Sequence, residues 1–189
     1  SMMNAKAKEL GCKNTNFVNP HGLHDDNHYS TAYDLYTIAS YALTLPLFSQ
    51  ITDTATYYCE GDDYPLVTTN YLIDVNRGVD YFYTYAKGIK TGTTDEAGRC
   101  LVSTATYNGY NYMCILMGCP PKEKKHFSES IALYNWAFNN FSFKEVAKST
   151  EPEVRMVRAV RVHTTMVSAN TSKIPHIPCL TGSFTFELE

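Results

Sequence analysis

Two apolar-rich runs, Cys100 to Thr106 and Tyr110 to Met117, are separated by Tyr107-Asn108-Gly109. Asn-Gly between such runs predicts a β-hairpin, because both central residues of the tightest hairpin turn need positive φ. A two-residue loop at Asn108-Gly109 pairs Tyr107 with Tyr110, Ala105 with Tyr112, Ser103 with Cys114 and Leu101 with Leu116 on one face. Val102, Met113, Ile115 and Met117 fall on the other. Both faces are largely apolar, so the hairpin is expected in the centre of a sheet covered by helices on both sides.

Helical spacing appears on either side of this hairpin. Ile131, Tyr134, Ala137, Phe138 and Phe141 form one stripe and predict a helix over about 125–140. Leu35, Ile38, Ala39, Ala42 and Leu43 predict another, with Thr31 as N-cap, Asp34 at capping-box spacing and Pro46 as its stop. Residues 2–11 read as a helix closed by Gly11, and 12–29 as a loop rich in Asn, His and Asp. Residues 54–60 and 66–73 are expected to be short extended segments, and a strand over about 84–91 should lead into the hairpin. Beyond Phe143 the Val- and Arg-rich stretch 153–163 favours extended structure, with Arg155, Arg158 and Arg161 as a solvated face.

Composition narrows the function classes. The 189 residues are 44% hydrophobic and 19% charged, an ordinary globular balance, and the net charge of -3 provides no basic footprint for nucleic acid. No apolar run of membrane-spanning length and no signal peptide is present in these residues. The six cysteines, at 12, 59, 100, 114, 119 and 179, make neither a CxxC pair nor a disulfide framework, and are expected to be free, buried thiols. In the hairpin register Cys100 and Cys114 do not face one another.

The candidate chemistry lies in Gly88-Ile89-Lys90-Thr91-Gly92-Thr93-Thr94. Lys supplies a point charge for a carboxylate, Thr a directional hydrogen bond, and Gly a position where a ligand can approach the backbone. Two other chemistries fit the residues less well. His21, His24, Asp25, Asp26 and His28 could ligate zinc, but they share a single loop without a distal ligand set. A phosphate-cradling loop would need Gly directly before Lys90, where Ile89 stands, and Gly at Thr84.

Taken together, Met3 to Gly11, Phe17-Val18-Asn19-Pro20-His21-Gly22-Leu23, His28 to Leu35, and Gly88 to Thr94 with Ala97-Gly98 resemble the serine-type D-Ala-D-Ala carboxypeptidases, the low-molecular-mass penicillin-binding proteins of peptidase family S11. The resemblance spans about residues 2–142. It implies an α+β fold, an antiparallel β-sheet flanked by helices of the β-lactamase/transpeptidase type, over 1–143, followed by part of a small β-rich domain over 144–189. The family also uses a Ser-x-x-Lys and a Ser-x-Asn placed before Lys-Thr-Gly. No Ser-x-x-Lys occurs here, and the one Ser-x-Asn, Ser168-Ala169-Asn170, follows Lys-Thr-Gly. The chain is therefore expected to be a fragment, inactive by itself, with Ser1 a cloning remnant; a pseudoenzyme or peptidoglycan-binding module on the same scaffold is the alternative.

By resemblance, Lys90 contributes positive potential, Thr91 bonds the substrate's terminal carboxylate, and Gly92 lets substrate lie along the strand. The Thr93 N–H forms half of an oxyanion hole. Near the start of the last helix, where the family often has an Arg assisting carboxylate recognition, this chain offers Lys124, Lys125 and His126, and His126 is the substrate-binding residue expected there. No cofactor or metal is implied. The expected partners are peptidoglycan stem peptides ending in D-Ala-D-Ala and β-lactam antibiotics, and the fragment is expected to form a homodimer through its cut sheet edge. The expected location is the bacterial cell envelope, outside the cytoplasm.

Overall fold

A computed structural model of the chain describes residues 1–121 and 124–141. The β-rich segment expected over 144–189, Arg155, Arg158, Arg161, Ser168-Ala169-Asn170 and Cys179 lie outside the described residues.

Helix α1, Met2–Glu9, ends as expected, with Gly11 left-handed at φ 86°. Asn4 fixes it to the following loop: its Nδ2 donates to Asn16 Oδ1 at 3.1 Å and Phe17 O at 2.9 Å, and its Oδ1 accepts from Phe17 N at 2.7 Å. Helix α2, Ala32–Leu43, is capped by Thr31, whose hydroxyl accepts from Asp34 N at 3.2 Å. The capping box is only half formed. The Asp34 carboxylate instead accepts from Asn14 N and the Thr15 hydroxyl, each at 2.7 Å, and so organises a loop poor in apolar residues. A short helix α3, Phe48–Thr52, follows Pro46. Its five residues are too few to display a period, and the sequence pattern did not reveal it.

Strands β1, Thr56–Tyr57, and β2, Leu66–Val67, form a small antiparallel pair. Residues 68–73, expected to be extended, turn instead. Asn70 is buried there, with its Oδ1 accepting from Leu72 N at 3.1 Å.

The main sheet comprises β3, Ala86–Thr94, β4, Gly98–Tyr107, and β5, Tyr110–Cys119, in the order β3-β4-β5. The hairpin has the expected register, Tyr107 opposite Tyr110 through Leu101 opposite Leu116. Its expected central place is corrected: β4 is central, while β5 is an edge among the described residues.

Both faces are covered, as the apolar pattern implied. Helix α4, Lys125–Asn140, packs Leu133, Tyr134 and Ala137 against Ala105, Tyr112 and Leu116. On the other face α2 and α3 bring Leu35, Ala39 and Phe48 against Ile89, Met113 and Ile115. The one-residue alternation along the strands thus sorts the side chains into two cores. The buried Tyr134 and Ser103 hydroxyls satisfy each other at 2.9 Å. Cys114 and Cys119 are buried, but Cys12, Cys59 and Cys100 are only half-buried, and none of these five described cysteines is in a disulfide. Burial pushes the Cys114 thiol up to about 12, which removes its reactivity at neutral pH.

Candidate functional site

Strand β3 carries Lys90, Thr91, Gly92 and Thr93 along the edge of the sheet opposite β5. Three contacts fix its course. On one side β4 pairs Lys90 with Val102, Gly92 with Cys100 and Thr93 with Arg99. Below, the strand bulges between Ala86 and Ile89, and Gly88 adopts φ 64° where a Cβ would lie 3.0 Å from Thr52 O. Helix α3 therefore packs on bare backbone. On the outer side Asn70 Nδ2 donates to Gly88 O at 3.0 Å. At Gly92 a Cβ would meet no atom within 4 Å, so the space over this backbone is open to a ligand.

The strand edge forms one wall of a cavity of about 690 Å³. All the residues expected at the site, Lys90, Thr91, Gly92, Thr93 and His126, line it together. His126 comes from the first turn of α4, with Lys124 and Phe127 beside it. Another wall is the Pro20-His21-Gly22 turn, closed by Asn19: its Oδ1 accepts from Gly22 N at 2.8 Å and its Nδ2 donates to Leu23 O at 2.9 Å. The histidines of this loop contact their own loop, and His24 also approaches Glu96 at 3.9 Å. His21 Nδ1 accepts from Leu23 N, His28 Nδ1 accepts from Val18 N, and His24 Nε2 lies 3.2 Å from Asp26.

Sequence reasoning did not find Thr69, Tyr71, Arg77 or Arg99, which also line the cavity. Thr69 shares a hydrogen bond between hydroxyls with Thr91, and Lys90 Nζ donates to Thr91 O at 2.6 Å. Arg99 could have been found by pairing β3 with β4 across the turn at 95–97, which sets it opposite Thr93. Thr69 and Tyr71 sit in the segment expected to be extended but found turned, and Arg77 lies in the turn after it, so their approach to β3 was not legible.

Electrostatically the cavity runs against the chain. The net charge is -3, yet Arg77, Lys90, Arg99 and Lys124 line the cavity and no carboxylate does among the described residues. Such a site attracts anions, and its field is focused by the walls. Lys90, Thr91 and the open backbone at Gly92 offer one carboxylate a charge, a hydroxyl and a free approach.

His126 is 2% exposed, with no partner on Nδ1. Burial first, then the Arg99 and Lys124 charges, pushes its imidazole down to about 4. It is therefore neutral near pH 7 and offers a hydrogen bond, while the charge comes from its neighbours. The unfolded chain takes up this proton near the ordinary histidine value and the folded chain only near 4, so stability falls as pH drops from about 6.5 to 4. His126→Gln is expected to lose less stability than the parent over that window in urea titrations. Equal losses would contradict a buried neutral imidazole.

Comparison with known proteins gives a consistent set. A profile of the D-alanyl-D-alanine carboxypeptidases, peptidase S11, matches residues 1–120. The chain is 36% identical to the D-alanyl-D-alanine carboxypeptidase DacF of Bacillus subtilis, over 79% of this chain and 37% of the relative. It is 34% identical to DacA of Haemophilus influenzae, over 79% of this chain and 36% of that protein. It therefore spans little more than a third of these relatives' length. Among solved structures it resembles a D-alanyl-D-alanine carboxypeptidase from Mycobacterium tuberculosis, at 27% identity and TM-score 0.64 over 78% of this chain and 55% of that one. It also resembles penicillin-binding protein D2 from Listeria monocytogenes in its cefotaxime-bound form, at 30% identity and TM-score 0.58 over 69% and 51%.

Proposed function

This chain belongs to the D-alanyl-D-alanine carboxypeptidase family, peptidase S11, and from that premise we propose that it forms the carboxylate-binding half of a serine-type D-Ala-D-Ala carboxypeptidase site. The observation that carries the reading is the convergence of Lys90, Thr91, Gly92, Thr93 and His126 on one cation-lined cavity. A serine supplied from outside these 189 residues attacks the penultimate D-Ala carbonyl of a stem peptide and expels the terminal D-Ala; water then hydrolyses the acyl-enzyme. Lys90 holds positive potential at the reacting centre. Thr91 donates to the terminal carboxylate, steadied by Thr69. The substrate lies along β3 as an added strand over Gly92, and the Thr93 N–H stabilises the oxyanion. His126 assists at the carboxylate as a neutral hydrogen-bonding group. β-Lactams acylate the same serine.

The test is peptide binding by the chain itself. Millimolar N-acylated D-Ala-D-Ala is expected to shift the amide resonances of Lys90 to Thr93, and the C-terminal amide of the same peptide is not. Equal shifts with both peptides, or shifts elsewhere, would refute the carboxylate assignment.

The natural setting is the bacterial cell envelope, where such peptides occur. Among the described residues no helix is long and apolar enough to cross a membrane.

For the isolated chain we propose self-association through β5, an edge of the sheet among the described residues, since open strand edges template pairing. Light scattering after size exclusion is expected to give a dimer or larger. A monomer with slow amide exchange along Tyr112 to Leu116 would rule this out.

A further inference from the structure

We infer that Asn70 is a positioning residue of the carboxylate site: its buried carboxamide locks the turn that carries Thr69 to the bulge of β3, and through Thr69 fixes where the Thr91 hydroxyl stands. This deepens the carboxypeptidase reading and rests on it.

The bulge sets the register of the motif. Ala86 stands opposite Ala105 and Ile89 opposite Ser103, so Lys87 and Gly88 share the one intervening residue of β4, Thr104. Beyond the bulge Thr91 meets Leu101. An unbroken count from the Ala86–Ala105 pair would set Thr91 opposite Cys100 instead, and a one-residue slip moves side chains to the other face of a sheet. What holds the bulge therefore decides whether Thr91 reaches Thr69.

Two side chains take the carbonyls of the bulge. The Thr104 hydroxyl donates to Lys87 O, and Asn70 Nδ2 donates to Gly88 O at 3.0 Å. Thr104 belongs to the sheet itself, whereas Asn70 belongs to the turn across the site. Asn70 is 1% exposed; its N–H donates to the Thr68 hydroxyl and its Oδ1 accepts from Leu72 N, each at 3.1 Å. Leu72 N–H can only donate and Gly88 O only accept, so a single orientation of the carboxamide serves both. Asp74 organises the later part of the turn separately, accepting from the N–H groups of Asn76 and Arg77, each at 3.0 Å.

Thr69 relays the lock to the motif. It follows Thr68 and precedes Asn70, and its hydroxyl shares a hydrogen bond with that of Thr91. With Thr69 donating, Thr91 accepts on its oxygen and keeps its own O–H for a carboxylate. An aspartate at position 70 would retain the bond from Leu72 N but, when ionised, would set an acceptor against Gly88 O.

The experiment measures binding of N-acylated D-Ala-D-Ala to the 189-residue chain by NMR titration of Lys90 to Thr93, with the amides of Tyr112 to Leu116 reporting the fold. Asn70→Ala is expected to weaken binding about tenfold, the loss that follows removal of one buried hydrogen-bond partner, with the hairpin shifts unchanged. Asn70→Asp is expected to show a similar loss relative to the parent at about pH 8 and to regain most of it at about pH 5, since burial favours the neutral acid, whose O–H again donates to Gly88 O. A merely structural role would weaken Asn70→Asp alike at both pH values. Parental affinity in folded Asn70→Ala, or an Asn70→Asp to parent ratio that does not change with pH, overturns the assignment. Thr69→Ala keeps the test open if the Asn70 variants fail to fold, because Thr69 is exposed and the Asn70 bonds stay in place. It should weaken binding while Thr69→Ser restores it, and parental affinity in Thr69→Ala overturns the relay. These failures appear only in the variants; a parent without shifts at Lys90 to Thr93 overturns the carboxypeptidase reading and the inference with it.

Discussion

Incubated with a fluorescent penicillin, the 189-residue chain is expected to remain unlabelled, with its intact mass unchanged. The effect is all or none. Acylation needs an activated nucleophile, and the family's nucleophile is the serine of a Ser-x-x-Lys, which these residues do not contain. Neither Cys114 nor Cys12 replaces it: Cys114 is buried with its pKa pushed up to about 12, and burial and the Asp34 charge raise Cys12 as well. Neither the cations of the cavity nor the Thr93 N–H can compensate, because they stabilise charge that develops only once a nucleophile attacks. A stoichiometric adduct that survives denaturation and maps to one residue would disprove the assignment of the nucleophile to another segment. Reversible binding would not, since the cavity is expected to hold the β-lactam carboxylate without reacting.

What could be read from the sequence depended on how local the determining interaction was. The hairpin register followed from Asn108-Gly109 alone, because a two-residue turn fixes every cross-strand pair that follows it. The stripe from Ile131 to Phe141 gave α4 for a similar reason: a period of 3.6 sustained over about three turns has few rival readings. The turn at 68–73 was misread because its extended-looking composition is overridden by one buried side chain, Asn70, which bonds both its own turn and Gly88 O across the site. Asp34 carried a correct local signal and a hidden distant one. Its backbone completes the Thr31 cap, but its carboxylate serves Asn14 and Thr15, some twenty residues away in the chain. The same distinction holds in the site. Lys90 to Thr93 were legible as a contiguous motif, whereas Tyr71 and Arg77 reach the cavity through the turn that Asn70 and Asp74 create.

In a full-length catalytic domain that carries this segment, Lys90→Ala and Thr91→Val are each expected to slow acylation by penicillin by about 10²- to 10³-fold, the loss found when one preorganised donor to developing charge is removed. The structure argues that the effect lies in the rate and not in folding. Lys90 is exposed on β3, and its Nζ donates to the carbonyl of Thr91. Thr91, half-buried opposite Leu101, bonds Thr69 at the cavity wall. Surface changes of this kind usually alter stability by no more than about 0.5 kcal/mol. The two variants should also differ. Lys90→Ala removes charge, so its defect should shrink with rising salt as the parent's electrostatic advantage is screened. Thr91→Val keeps the charge and leaves the Thr69 hydroxyl without its partner, so its defect should persist in salt. Stopped-flow acylation of the folded variants at low and high salt decides the matter. Acylation near the parental rate in folded Lys90→Ala would remove this lysine from the mechanism, and a salt-independent defect would mean that it acts through local hydrogen bonding instead of its charge.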